Sequence, residues 1–498
     1  MTRSLLPLAN GTAASLEEVP LWPVRHFRER ILEAAFEGAR LAALLPLPGC
    51  QGRPERLLAV LIHDPRGTLL LGAGDLQGAS SYPAFTPEWP QAQAFERDLW
   101  ESAGLLPEGH PWLKPLRFPW LTDGEVIPGP YPYYTMEGEE LHEVAVGPVH
   151  AGIIEPGHFR FLCHGEKVFH LEIQLGYQHR GWRRLMTEAP PCRRAALAES
   201  LAGDGAVAHG TAWAMVEEAL RETVVPPRAQ ALRSVALELE RLANHAGDLA
   251  ALAGDVGFLP AASYLGALRG DLLNLTLSLC GNRFGRGLLL PGGVRFDAGE
   301  EQASRIEENL GAIRPLLEAS ARLLFDASSV QERFQGTGVL GKAEAEALGL
   351  VGVAARASGC DRDVRRDHPA GFYRFAQIPP QTLPSGDVYA RAMVRFLEAQ
   401  QSFAFLESHL RALPQGPVRS RAGEARPGRV AVSLVEGWRG EIAHVAVTGE
   451  DGRLLAYDAV DPSVHNWMGL ALALRGQAIS DFPLCNKSFN LSYAGHDQ

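Results

Sequence analysis

Apolar residues recur at two different spacings along this 498-residue chain, and the changes between them mark its organisation. Residues 27–47 show apolar positions three and four apart and run into a Pro/Gly stretch, a pattern that predicts a helix over that span. The run RLLAVLIHD, the turn Pro65-Arg66-Gly67 and the run TLLLGAG predict two strands of a hairpin. Pro90 opens a further helical segment that Gly104 closes. These elements predict a small α/β domain over residues 1–125. A Pro/Gly/Tyr-rich passage beginning VIPGPYPYY follows, and residues 126–143 read as a linker.

From Val144 the pattern changes. VAVGPVHAG, FRFLC and VFHLEIQLG predict strands of an antiparallel sheet, with a turn at His164-Gly165-Glu166. Helical spacing then dominates, over roughly 193–221, 227–253, 261–280, 300–325 and 385–411, which predicts a bundle. RVAVSLVEGW, IAHVAVTG and LLAYDAV predict a three-stranded meander, followed by a helix over 465–476 and an irregular tail. The fold class is therefore α+β: the small N-terminal α/β domain, then residues 144–498 as a central helix bundle with flanking antiparallel sheets.

Composition narrows the function. A formal charge of −11 and 21% charged residues lack the basic footprint of a nucleic-acid-binding protein. The six cysteines (Cys50, Cys163, Cys192, Cys280, Cys360, Cys485) form no CxxC, and this scatter suits reduced thiols in a cytoplasmic protein. The first residues do not read as a signal peptide, and no run of eighteen apolar residues predicts a membrane span. No GxGxxG follows a strand, so NAD has no evident direct site.

Several motifs carry more than their residues do singly. Gly147-Pro148-Val149-His150, Glu155-Pro156-Gly157-His158 and Gln178-His179-Arg180-Gly181-Trp182 come first. Glu238-Leu239-Glu240-Arg241, Pro291-Gly292-Gly293-Val294 and Asp461-Pro462-Ser463 follow in that order. The ordered set resembles the superfamily shared by the 49-kDa-type subunit of respiratory complex I and the large subunits of energy-converting nickel–iron hydrogenases. Phe95-Glu96-Arg97-Asp98-Leu99-Trp100 with Glu108-Gly109-His110-Pro111 resembles the 30-kDa-type complex I subunit, so residues 1–125 are expected to be that module fused to the larger one.

The resemblance also exposes departures. Hydrogenases of this kind hold nickel and iron on two CxxC pairs, because the site needs soft ligands. Here those positions read Ala202-Gly203-Asp204-Gly205 and Ser492-Tyr493-Ala494-Gly495. Nickel is not expected, and no cofactor is expected to be bound by this chain itself. Complex I uses the equivalent space for a quinone headgroup. That likeness implies a pocket histidine at His150 or, in a loop two residues longer, His158. It also implies a helix aspartate at Asp255 and a tyrosine position that falls on Gly203. Glu155 matches the proton-carrying glutamate of the hydrogenase version.

The candidate catalytic set is therefore His150, Glu155 and Asp255, with His158, Gly203 and Asp204 lining the vacated site. A quinone or other small electron carrier is the expected substrate, since its two electrons must arrive with two protons. The resemblance implies a ferredoxin-like partner carrying a [4Fe–4S] cluster, with His179, Arg180 and His209 toward it. It also implies antiporter-like membrane subunits and a peripheral place on the inner face of the cell membrane. The competing reading is a non-catalytic scaffold, and an active nickel–iron hydrogenase is a third. Without the family, His150 and His158 read as structural histidines, Asp255 as a helix-end cap beside Gly254, and His209 as the partner of a buried carbonyl.

Overall fold

A computed structural model describes residues 4–49, 54–117 and 131–498. The strands β1 (Leu6–Leu8), β2 (Thr12–Ser15) and β3 (Leu21–Pro23) lead into helix α1 (Val24–Phe36). Strands β4 (Arg40–Pro48), β5 (Pro54–His63) and β6 (Thr68–Asp75) form a sheet of order β1-β6-β5-β4, with β3 alongside β6. The helix expected over 27–47 is thus two elements. Gly38, at φ +95°, breaks α1, and the run from Leu41 to Leu45 is buried as a strand paired to β5. A continuous apolar run satisfies a strand covered on both faces as well as it does a helix. Phe27 and Ile31 of α1 pack into this core.

The short parallel pair β7 (Ser81–Pro83) and β8 (Leu106–Glu108) flanks α2 (Gln93–Ala103). On α2 the Glu96 carboxylate accepts from the backbone N–H groups of Phe85 and Thr86, at 2.8 and 2.9 Å. Asp98, on the same helix, pairs with Arg117 and with Arg183 of the larger unit. The first residues of the expected linker, 126–130, lie outside the described residues. From Tyr131 the chain is tied down, Tyr131 packing on Tyr133 and the Tyr134 N–H donating to Glu172.

Strands β9 (Leu141–Val146), β10 (His158–His164) and β11 (Lys167–Gln174) form the antiparallel sheet that the sequence predicts. Helices α3 (Trp182–Glu188) and α4 (Pro191–Glu199) precede α5 (Ala206–Leu220). The helix expected over 193–221 is therefore interrupted by a turn at 200–205, where Gly205 N–H donates to Ala202 O. Helices α6 (Pro227–Asp255), α7 (Leu259–Cys280) and α8 (Glu300–Asp326) are the bundle core. The hairpin β12 (Leu289–Leu290)–β13 (Gly293–Val294) links α7 to α8. The short helices α9 (Ser328–Phe334), α10 (Lys342–Ala347), α11 (Gly352–Ala357) and α12 (Val364–Asp367) lead to the long α13 (Val388–Leu410), the bundle's fourth member. Leu residues at 239, 242, 249 and 265 are fully buried between these helices, each contributing roughly 1.5–3 kcal/mol.

The closing meander is β14 (Arg429–Glu436), β15 (Glu441–Thr448) and β16 (Leu454–Val460). It has a fourth strand: β2, from the chain's first residues, pairs antiparallel with β14. Asn10 fastens this exchange, donating to His368 O and Leu434 O and accepting from Leu434 N. Arg40 adds a buried bridge from β4 to Glu441 and Asp64. Asp461 caps α14 (Pro462–Ala473), with Pro462 at its first position, so this helix starts before the expected 465. The tail is not irregular, as it forms α15 (Phe482–Phe489) and α16 (Tyr493–Asp497). Among the described residues no helix is long and apolar enough to cross a membrane.

Candidate functional site

The turn before α5 and the start of α16 meet at one buried polar cluster. Tyr457 OH donates to His444 Nδ1 (2.8 Å), His444 Nε2 to His209 Nδ1 (3.1 Å) and His209 Nε2 to the Asp461 carboxylate (3.0 Å). These tautomers give every ring nitrogen a complementary partner. Burial opposes the charge on Asp461, but the His209 hydrogen bond and nearby Arg439 prevail and hold its carboxyl down at about 2. Burial, reinforced by His209, keeps His444 well below the ordinary histidine value.

Gly205 and Gly495 border this cluster from the two chain segments. A Cβ on Gly205 would lie 3.6 Å from His209 Cδ2, whereas one on Gly495 would lie 2.6 Å from Asp461 Cγ. Asp461 is fixed by His209 and by the Ser463 N–H, so it cannot yield. Ser492 Oγ is committed too, accepting from Gly495 N–H at 2.9 Å as the cap of α16. The four positions that the resemblance sets against cysteine ligands thus offer an alanine and a glycine on one side, and a capping hydroxyl and a sterically closed glycine on the other. They do not fit a centre held by four thiolates. Among the described residues no group of three or more His, Cys, Asp or Glu is placed to hold a metal.

An ion pair fills the adjoining space. Asp204 takes both terminal nitrogens of Arg439, at 2.6 and 2.8 Å, and the guanidinium lies 4.0 Å over the Trp438 ring. Such a bidentate pair fixes geometry as well as charge. Arg439 Nε also donates to Asn490 O (2.5 Å), and Asn490 Nδ2 to Asp248 (2.6 Å), whose other oxygen accepts from Arg395 (2.6 Å). Glu155 accepts from Ala494 N–H at 3.1 Å. Burial pushes its carboxyl up, with the Asp204 charge adding to the effect.

Beside Glu155, the loop between β9 and β10 carries His150. Its Nδ1 lies 3.2 Å from Pro148 O and its Nε2 3.2 Å from the Tyr493 hydroxyl. With Nδ1 protonated, Nε2 accepts from the phenol. Burial pushes Tyr493 up to about 12, so the phenol keeps its proton at neutral pH. Gly157 makes room for the ring, since a Cβ there would sit 2.5 Å from Tyr493 Cε1.

His150, Glu155 and Asp204 are therefore gathered around α16 and the turn before α5. His158 sits at the start of β10, its ring 5.6 Å from Tyr133 and its Nδ1 3.4 Å from Gly147 O. Gly203 is exposed, with Arg286 the neighbour a side chain would meet. Asp255 is exposed at the end of α6, where partial burial raises its carboxyl and Lys487 opposes that. Asp248, seven residues earlier on α6, is linked to Arg439 through Asn490. His179 and Arg180 are exposed on the turn that holds α16, through His179 Nδ1 to Asp497 O and Arg180 N to Gln498 O. His209, expected toward the iron–sulfur partner, is fully buried between Asp461 and His444. Sequence reasoning gives Tyr493 and Arg439 no part in the site, and Asp461 enters only as a residue of the family motif. Tyr493 stood inside the stretch searched for metal ligands, where a phenol did not register.

Comparison with known proteins gives this geometry a family. The profile described as "Respiratory-chain NADH dehydrogenase, 49 Kd subunit" matches residues 255–427. The carbon monoxide-induced hydrogenase of Rhodospirillum rubrum is 32% identical over 350 residues, 70% of this chain and 97% of that protein. Hydrogenase-4 component G of Escherichia coli K12 is 30% identical over 438 residues, 84% of this chain and 76% of its own. A chain of the membrane-bound sulfane sulfur reductase, an archaeal respiratory membrane complex, shares the fold with a TM-score of 0.68. It is 24% identical and the match covers 72% of this chain and 99% of that one. The chain belongs to the family of hydrogenase large subunits and 49-kDa-type complex I subunits, and is homologous to subunits of oxidoreductase complexes.

Proposed function

We propose that this chain is the large subunit of a membrane-associated, complex I-like redox assembly and delivers electrons and protons to a quinone or similar small carrier without nickel. The observation that carries this reading is the Tyr493 hydroxyl 3.2 Å from His150 Nε2, with Glu155 on the neighbouring backbone N–H. A quinone becomes a quinol by taking two electrons and two protons. Tyr493 holds its proton until an acceptor oxygen gains negative charge, His150 orients that hydroxyl, and Glu155, raised by burial, can carry a replacement proton. The electrons come from a ferredoxin-like partner with a [4Fe–4S] cluster, docked near His179 and Arg180. Residues 1–125 serve as the fused 30-kDa-type module, and antiporter-like subunits hold the assembly on the inner face of the membrane.

The scaffold reading draws on a different observation: Asp461 and the Asp204–Arg439 pair fill the space between the two segments. The purified complex separates the two. With quinone as acceptor, His150→Ala is expected to slow turnover at least ten-fold. Glu155 acts as a proton donor, so the wild-type rate falls as pH rises through its raised pKa, and Glu155→Gln removes that dependence. Asp255→Asn leaves the rate unchanged if proton handling is confined to His150, Glu155 and Tyr493. Wild-type rates in both His150→Ala and Glu155→Gln, or stoichiometric nickel by elemental analysis, would sink the proposal. A complete complex that reduces no quinone favours the scaffold.

A further inference from the structure

A cavity of about 490 Å³ lies along the α5–α6 hairpin and shares no lining with His150, Glu155, Asp204 or Tyr493. Its volume is in the range of about 300–1,000 Å³ usual for ligand pockets. Thr211, Met215 and Glu218 line it from one face of α5, a span of roughly 10 Å along the helix, and Glu222 follows in the turn beyond. Part of its lining is apolar, Ala219, Val225, Leu237 and Leu434 with Met215. The turn carrying Asn10 and Thr12, which begins the exchanged strand β2, closes another side.

The charges around it do not balance. Each lining carboxylate already has a cation: Glu218 holds Arg233 at 2.5 Å, Glu222 holds Arg426 at 2.9 Å and Glu436 holds Arg356 at 2.9 Å. Arg365, also in the lining, is taken by Asp363 and Glu238. Arg374 and Arg429 remain. Arg374 Nε donates to Pro369 O, and the Arg429 guanidinium to Ala13 O. The Nε of Arg429 is buried without a partner, and among the described residues neither guanidinium has a carboxylate.

Both line the cavity, on segments that touch the α5–α6 hairpin. Gly371, three residues before Arg374, abuts Gln230 in the first turn of α6. Arg426, three residues before Arg429, donates its backbone N–H to Leu220 O, the last residue of α5. The end of α5 and the start of α6 are joined by the hairpin turn, so the segments that carry the two arginines both meet that turn. A cavity with an apolar part to its lining and two arginines that hold no carboxylate is complementary to an amphipathic anion.

We infer that this groove binds a single-chain amphipathic anion, its chain along Met215, Ala219 and Leu237 and its carboxylate or phosphate head between Arg374 and Arg429. The bound molecule would bridge the helical hairpin and the N-terminal strand.

The test titrates decanoate, decyl phosphate, decanol and acetate into the full-length chain by calorimetry, below micellar concentrations. One site per chain is expected for at least one of the two long anions, at least ten-fold tighter than decanol, with no binding of acetate. The ratio of decanoate to decyl phosphate affinity names the head group. The double variant Arg374→Gln, Arg429→Gln should lose the preference over decanol while keeping the wild-type Tm. Met215→Trp should weaken anion and alcohol alike at least ten-fold, and Ala219→Leu serves the same purpose if that variant does not fold. The inference fails if neither long anion saturates a single site, if decanol binds as tightly, or if the arginine variant binds as the wild type does.

Discussion

Gly495 has no side chain, and the anchored Asp461 carboxylate occupies the space that one would need. Gly495→Ala is therefore expected to lower unfolding stability by about 1–3 kcal/mol, the cost of overpacking a closed site, as read by urea denaturation. Glu240 makes a second prediction. Its oxygens accept from Val207 N–H (2.7 Å) and Ala208 N–H (3.2 Å) at the start of α5. Burial, aided by the Asp204 charge, overcomes these bonds and pushes its carboxyl up to about 8 from an ordinary 4.5. A carboxyl raised in the folded state binds more protons there than in the unfolded chain. Its contribution is complete below pH 4.5 and is lost as pH rises to about 8, at roughly 1.4 kcal/mol per pH unit inside that window. Glu240→Gln should flatten this part of the stability profile, and an unchanged slope would contradict the assignment. His150, Glu155 and Asp204 were legible because motif order points at a site. Tyr493 and Arg439 were not, because only the fold brings the last helix against the loop between β9 and β10.

The elements show where periodicity suffices. Helix α6 lies within two residues of its expected bounds, since its apolar stripe is long and Pro227 marks its start. Periodicity did not reveal the turn at 200–205, where the spacing continues across a break that Gly203 and Gly205 permit. It also merged α1 with β4, because Leu41–Leu45 is apolar in either conformation. The face that α6 turns toward α13 and β14 carries charges as well as leucines. Glu238 holds Arg365, while Arg356 joins Glu398, Glu436 and Asp363, all nearly inaccessible to solvent. Removing one partner strands several buried carboxylates. Arg356→Met should thus cost about 3–5 kcal/mol, measured as a shift of the denaturation midpoint at constant slope. A cost below 1 kcal/mol would mean that the cluster repacks or takes up water.

At the scale of the whole molecule, the N-terminal residues are woven into the large unit by β2 on β14, Asn10 on Leu434 and Arg40 on Glu441. The short TAAS strand gives no local signal for such pairing, which is why residues 1–125 read as a separate module. Expressed alone, residues 131–498 should aggregate or elute as oligomers on size exclusion, because β14 becomes an open edge. A stable monomer would show that the exchange is dispensable. The last helix meets the loop between β9 and β10 through Tyr493 and His150, so the central claim can be read from one atom. The most direct measurement is electron transfer to a short-chain quinone by the purified, nickel-free complex, comparing wild type with Tyr493→Phe. The account predicts turnover by the wild type and a roughly 100-fold lower kcat in the variant at unchanged Tm. No turnover in the wild type, or a variant as fast as the wild type, would contradict it.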